Sequence, residues 1–169
     1  MVNKMLFKAE GNVLKMERTF NAPVELAFKV FSDSEHLKQW FGPRGWTISV
    51  SNLDFRPGGA WHYCMKCEDK NQGDFYGMES WGKSAYKEIV VNEKLVYVDY
   101  FSDAEGNISE NMPAVEVTMT FEEVDGKTKI TSIGSYATAE ALKTVIDMGM
   151  EQGITETWDR LEEHLENLQ

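Results

Sequence analysis

The C-terminal segment Thr138–Gln169 constrains the fold of this chain more than any other stretch. It contains no proline, and its apolar and small residues recur at intervals of three and four, the spacing of one helix face. The residues on this face are Leu142, Val145, Ile146, Gly149, Met150, Gly153, Ile154, Thr157, Trp158, Leu161 and Leu165. We therefore predict one long amphipathic helix, with Thr138 as its cap.

The hundred residues before this helix are instead rich in strand and turn signals. Apolar and polar residues alternate with the period of a half-buried strand, most cleanly over 115–121, and Asp125-Gly126 is a strong hairpin turn. Two short helices, around 26–31 and 35–41, follow the first strand. The predicted strands cover residues 13–20, 46–50, 61–65, 75–91, 95–101, 115–121 and 127–136.

This order of elements predicts an α+β protein in which an antiparallel sheet curls around the last helix. A cavity remains between helix and sheet when the side chains that face each other are small. Gly149 and Gly153, four residues apart on the apolar face, mark where such a space could open. The chain shows no repeat and no interdomain linker, so we expect one domain over 1–169 with its core at about 13–168.

Net charge and the distribution of apolar residues indicate which partners and which cellular compartment to expect. The formal net charge of −11 repels nucleic acid phosphates and anionic membrane surfaces, so we expect no nucleic acid partner. No apolar run approaches the ~20 residues needed to span a bilayer, which predicts no membrane insertion. Residues 1–11 lack the apolar core of a secretory signal. We expect a cytoplasmic protein.

Cys64 and Cys67 form a CxxC pair, a spacing found in redox and metal sites. A redox pair normally opens a helix, whereas this one follows Trp61-His62-Tyr63 inside a strand pattern. A zinc site needs four ligands, and the chain has no second CxxC and only three histidines. We expect two ordinary thiols, no metal and no cofactor, with a metal site or a functional disulfide as the alternatives.

Several short segments, in this order, resemble one superfamily. They are Arg18–Pro23, Ser34–Pro43, Phe55–Trp61, and the closing Gly149–Gly153 with Trp158–Leu165. The chain resembles the START-like domains, also called the SRPBCC, birch-pollen-allergen or helix-grip superfamily. Within it, the chain is similar to the family named for the activator of the heat-shock-protein-90 ATPase.

The resemblance implies a helix-grip fold, with a curved antiparallel sheet of six or seven strands around the long C-terminal helix and two short helices at one end. It also implies a hydrophobic cavity. Relatives bind lipids, polyketides or other apolar molecules; some are cyclases or aromatases, and one branch is a co-chaperone. No catalytic motif runs through them, so no catalytic residue is carried over.

Aromatic and methionine side chains are the candidates for the cavity wall, because polarisable, adaptable groups line apolar ligand sites. They fill ordinary cores equally well. Met150 stands where relatives usually hold a tryptophan, which leaves the pocket size open. The predicted ligand-binding residues are Trp40, Trp46, Trp61, Tyr63, Met78, Trp81, Tyr97, Met119, Phe121, Met150, Ile154 and Trp158.

Five residues could carry acid–base chemistry: Arg18, His62, Glu79, Asp99 and Glu116. Arg18 shares the strand phase of its apolar neighbours, and an inward Arg18–Glu79 pair could orient a ligand or move a proton. The plainer interpretation places these polar residues on the outer face of a curved sheet.

Three functions follow. The first is noncatalytic binding of an apolar small molecule or lipid, by a monomer or a homodimer. The second is a polyketide cyclase or aromatase-like activity, which predicts an inward ionisable group with a shifted pKa. The third is a module that stimulates a chaperone ATPase. That role depends in relatives on a second domain, which these 169 residues do not include.

Overall fold

A computed structural model describes residues 4–169. Residues 1–3, which belong to the predicted domain and to the N-terminal segment that lacks a signal pattern, lie outside the described residues. Eight antiparallel strands form one sheet in the order β1-β2-β8-β7-β6-β5-β4-β3. The strands are β1 Leu6–Glu10, β2 Val13–Phe20, β3 Trp46–Leu53, β4 Ala60–Cys67, β5 Glu79–Val90, β6 Lys94–Phe101, β7 Val115–Val124 and β8 Lys127–Tyr136.

The sheet has one strand more than the six or seven predicted. The additional strand is β1, which pairs with β2 at one edge of the sheet, Leu6 opposite Glu17. Four of its five residues are exposed, so it has no alternation of apolar and polar residues that a sequence pattern could show. The other edge strand is β3.

Four α-helices and a short 3₁₀ segment at Lys70–Phe75 complete the fold. Asp33 caps the second α-helix by accepting hydrogen bonds from the backbone N–H groups of Glu35 and His36. None of the helices in residues 4–169 is long and apolar enough to cross a membrane. The α-helices are α1 Val24–Ser32, α2 Ser34–Trp40, α3 Ala139–Asp147 and α4 Met150–Asn167.

The predicted single C-terminal helix is wrong in one respect, because it is divided into α3 and α4. Thr138 caps α3 as predicted, accepting a hydrogen bond from the N–H of Ala141. The break lies at Gly149, whose φ of 91° is left-handed and open to glycine without strain. The apolar spacing continues through both helices, so periodicity alone could not reveal this bend.

The concave face of the sheet packs against α4, which confirms the helix-grip architecture. The rings of Phe20 on β2 and Trp158 on α4 lie 5.7 Å apart. Leu161 and Leu165, in the second half of α4, are fully buried. Gly153 and Ile154, in its first half, are only half-buried. The helix is therefore packed solidly at one end and faces a hollow at the other.

Arg18 ties β2 to α4 from inside the fold. It is 2% exposed, and its guanidinium donates hydrogen bonds to Glu162 at 2.5 Å and Asp159 at 2.7 Å. The inward orientation agrees with the strand phase. The outward interpretation of Arg18 was therefore wrong. The alternative pairing with Glu79 was wrong as well, because Glu79 is exposed at the start of β5 and both carboxylates come from α4.

Candidate functional site

A hollow of about 370 Å³ lies between the concave face of the sheet and the first half of α4. This is within the range of small-molecule sites. Small residues leave the space open, because a Cβ atom added to Gly153 would meet nothing within 4 Å. The other glycines and serines on the wall are Ser80, Gly82, Ser84, Ser132 and Gly134.

Aromatic side chains form much of the wall. Trp61 and Tyr63 on β4 stack with ring centroids 4.1 Å apart, and Phe41, at the end of α2, packs edge-on against both. The indole N–H of Trp61 donates to Ser51 Oγ, and that of Trp40 donates to the Val30 carbonyl. These two indoles therefore offer a ligand their ring surfaces rather than a hydrogen bond.

Nine of the twelve predicted residues contribute to this wall. Trp81 does so in a limited way, because its ring stacks on His62, whose side chain points to the opposite sheet face from Trp61 and Tyr63. The nine are Trp40, Trp61, Tyr63, Trp81, Tyr97, Met119, Met150, Ile154 and Trp158. Their contact with a ligand stays a prediction.

The remaining three predicted residues lie elsewhere. Phe121, on β7, packs against α1, with its ring 5.2 Å from that of Phe28, because α1 covers this end of the sheet. Met78 precedes β5 and is 48% exposed. Trp46, at the start of β3, donates its indole N–H to Gln72 and lines a shallow surface depression beside Arg160.

A carboxylate lies on the apolar wall. Asp99 on β6 faces Ser84 on β5 across the sheet, and the Ser84 hydroxyl donates a hydrogen bond to it at 3.1 Å. The Tyr63 hydroxyl is a second hydrogen-bonding neighbour. Its ring can reach Asp99 because it crosses Gly82, where any Cβ would lie 2.5 Å from the ring. The outward interpretation of Asp99 was wrong.

Burial in this wall raises the pKa of Asp99 from 3.8 to about 6, and the hydrogen bonds from Ser84 and Tyr63 oppose that rise. Asp99 keeps part of its surface exposed although protein surrounds it, since it faces the hollow. No lysine, arginine or histidine lines the hollow among residues 4–169. The carboxylate is therefore ionised at neutral pH without a counterion from the wall.

Four tyrosines line the same hollow and lie near enough to Asp99 for its charge to act on them. Burial, together with the negative charge of Asp99, raises the pKa of Tyr63, Tyr86 and Tyr97 far above 10 and that of Tyr136 to about 12. All four hydroxyls thus stay protonated at neutral pH. Tyr86 and Tyr136 were not predicted. Tyr86 lies two residues after Ser84 on β5, and Tyr136 lies two residues after Gly134 on β8, so each shares a strand face with a small residue of the wall. This alternation in the sequence could have identified both tyrosines.

The other candidate residues do not join this cluster. His62 contacts the Asp103 carbonyl through Nε2, on the outer face of the sheet. Glu116 is exposed and pairs with Lys87. Cys64 and Cys67 are buried free thiols, and their odd spacing directs them to opposite faces of β4. Within residues 4–169, no group of three potential ligands could hold a metal ion.

Comparisons with known proteins agree with this geometry. The family model described as activator of Hsp90 ATPase homolog 1-like protein matches residues 21–166. No curated protein matches the chain.

Solved structures with the same fold come from several bacteria. A Staphylococcus epidermidis protein is 30% identical with a TM-score of 0.81, over 98% of this chain and 96% of its own. A Mycobacterium smegmatis protein is 28% identical with a TM-score of 0.83, over 98% and 97%. An Arthrobacter aurescens protein, at 22% identity and a TM-score of 0.85 over 96% and 91%, shares the fold.

Proposed function

Because the chain belongs to the activator of Hsp90 ATPase homolog 1-like family, within the START-like superfamily, we propose that it binds an apolar small molecule or lipid without catalysis. The binding site is the hollow between the sheet and α4. The observation that supports this proposal is an open space of about 370 Å³ with a largely aromatic and aliphatic wall.

Burial of apolar ligand surface would drive binding. Each ~100 Å² of apolar surface removed from water contributes about 2.5 kcal/mol, before the cost of ordering the ligand is subtracted. Trp61, Tyr63 and Trp158 supply large, rigid surfaces for such contact. Met150 and Ile154, both half-buried, supply adaptable ones on the helix side.

A ligand panel tests the proposal. Fatty acids, flavonoids and aromatic polyketides are titrated against the protein, with tryptophan fluorescence and thermal shift as readouts. At least one class is expected to raise the melting temperature and to change the fluorescence, because Trp40, Trp61 and Trp158 line the hollow. A complete lack of response to every ligand would end the proposal.

Two helix variants locate the binding. Gly153→Leu places a side chain in the hollow, where the added atoms have space, and is expected to abolish ligand binding with little loss of stability. Gln152→Leu makes the same kind of change on the exposed side of α4 and serves as the matched control. Equal affinities in the two variants would place the ligand elsewhere.

A polyketide cyclase or aromatase-like enzyme is the second candidate, and Asp99 is the observation that favours it. An ionisable group inside an apolar pocket, with its pKa raised to about 6, is suited to proton transfer near neutral pH. The test incubates wild type and Asp99→Asn with a linear poly-β-ketone thioester and analyses products by mass spectrometry. Cyclised product from the wild type alone would support it; equal product from both, or none, would reject it.

The finer expectations belong to the same proposal. We place the protein in the cytoplasm, as a monomer or a homodimer, with residues 1–169 as one START-like domain. One continuous sheet that starts with β1 and a helix that ends at Asn167 support the single domain. Stimulation of a chaperone ATPase stays an untested prediction from the family name.

A further inference from the structure

A purely apolar ligand would make no hydrogen bond or ion pair with Asp99, the carboxylate on the wall of the hollow. A carboxylate has about four acceptor sites on its two oxygens. The Ser84 hydroxyl, at 3.1 Å, and the Tyr63 hydroxyl occupy two of them. Since Asp99 lines the hollow and keeps part of its surface exposed, acceptor capacity is left on the side of the ligand.

The surroundings of Asp99 suit a cation. The described wall contains no lysine, arginine or histidine that could neutralise the carboxylate. Tyr63, Tyr86, Tyr97 and Tyr136 are close enough for the charge of Asp99 to act on each of them. Tyrosine rings attract cations through their faces, and a carboxylate with aromatic rings in the same pocket wall is a favourable environment for a desolvated ammonium group.

The same arrangement disfavours an anion. The head group of a fatty acid would bring a second negative charge next to Asp99 in a poorly solvated space, with no cation on the wall to offset it. A neutral hydroxyl could donate one hydrogen bond to Asp99 but would leave its charge uncompensated. Among ligands that have the same apolar chain, the hollow is therefore expected to discriminate by the charge of the head group.

We propose that the ligand is an apolar molecule that carries a protonated amine, with the ammonium group on Asp99 beside the tyrosines of the wall and the apolar body along Trp61 and the first half of α4. This inference rests on the proposed binding function and specifies its ligand class.

Three probes with the same apolar chain test it: decylamine, decanol and decanoate. Tryptophan fluorescence titrations at mildly alkaline pH keep the amine protonated and Asp99 ionised. Decylamine is expected to bind at least about 10-fold more tightly than decanol, and decanoate most weakly, because only the amine pairs with the buried carboxylate.

Asp99→Asn is expected to weaken decylamine binding by about 30-fold or more and to leave decanol binding within about 3-fold of wild type. Retained decanol binding also shows that the hollow of the variant is intact. Glu116→Gln is the matched control: it removes one exposed carboxylate from the neighbouring strand β7 and is expected to change neither affinity. This control separates a specific ion pair from the general attraction of cations to an acidic protein.

Two results would overturn the inference and leave the binding function standing: decanol or decanoate binding the wild type as tightly as decylamine, or Asp99→Asn keeping the preference for the amine. The order of the three head groups on the wild type is decisive even where the variant fails to fold. Failure of all three probes together with the wider ligand panel would overturn both proposals.

Discussion

At the scale of single residues, the buried charge of Asp99 lowers the stability of the folded protein. Its pKa is raised from 3.8 to about 6, so between those values the folded state binds more protons than the unfolded state. The free energy of unfolding therefore falls as the pH rises through this window. Above about pH 6 the full cost is present.

Asp99→Asn should remove that cost. Above pH 6 the variant is expected to be more stable than wild type by on the order of 2 kcal/mol, and the difference should shrink toward pH 4 as Asp99 becomes protonated. Urea unfolding of both proteins from about pH 4 to pH 8 measures it. The exposed-acid variant Glu116→Gln is the control. A stability difference that does not change with pH would contradict the assignment.

A second residue pair gives a dependence of opposite sign. His36 Nδ1 and His164 Nε2 lie 2.9 Å apart and join α2 to α4, an arrangement that requires one neutral ring. Burial, and then the charge of His36, lower the pKa of His164 below 6.5. The unfolded state thus binds the extra proton first, and stability is lost as the pH falls below 6.5.

His164→Gln is expected to reduce the decrease in unfolding free energy at acidic pH. The comparison is the change in unfolding free energy between about pH 7.5 and pH 5, which should be smaller in the variant than in wild type. His62→Gln, on the outer face of the sheet, is the matched histidine control and should keep the wild-type slope. If His62→Gln flattened the curve as much as His164→Gln, the helix pair would not be its origin.

At the scale of elements, Arg18 is the connection between β2 and α4. Arg18→Met removes the cation and leaves Glu162, which is 4% exposed, without its 2.5 Å ion pair. We expect a loss of about 3–5 kcal/mol in unfolding free energy. The double variant Arg18→Met with Glu162→Met should recover much of that loss, because it removes the buried charge as well. Additive losses in a urea double-mutant cycle would contradict the coupling.

The two glycines of the terminal segment should respond to alanine in opposite directions. Gly149→Ala forces a side chain onto a left-handed φ of 91° and should cost about 1 kcal/mol. Gly153→Ala lies inside α4, with open space for the methyl group, and should add up to about 1 kcal/mol through helix propensity. Thermal unfolding of the matched pair measures both. Equal shifts would argue against the division into α3 and α4.

At the scale of the whole molecule, a formal net charge of −11 makes the folded surface repel itself. About 0.5 M NaCl shortens the screening length to roughly 4 Å and should raise the melting temperature by a few degrees. The variant Glu110→Lys with Glu123→Lys, both exposed positions, removes part of this repulsion and should show a smaller salt effect. A melting temperature lowered by salt would show that the ion pairs outweigh the repulsion.

The sequence by itself determined the features that depend on local periodicity. Strand β8 has the predicted bounds Lys127–Tyr136, and the turn at Asp125-Gly126 has the expected positive φ values, because alternation and turn chemistry act between near neighbours. The apolar helix face from Leu142 to Leu165 predicted a helical segment that packs against a curved sheet. The same periodicity brought most of the predicted aromatic residues to the wall, since one face of each strand must be buried.

Only the tertiary structure decided which charges and small residues meet inside. Asp99 reads as an ordinary polar strand residue until the register places it opposite Ser84, with Tyr63 able to cross Gly82 to reach it. Likewise, the buried partner of Arg18 is Glu162 on α4, 144 positions along the chain, and not Glu79 on β5. The period of a strand predicts which of its residues share a face, but it predicts neither the register between strands nor contacts between distant segments. The hollow depends on those contacts, because it remains where the side chains of the sheet and of α4 do not fill the space between the two.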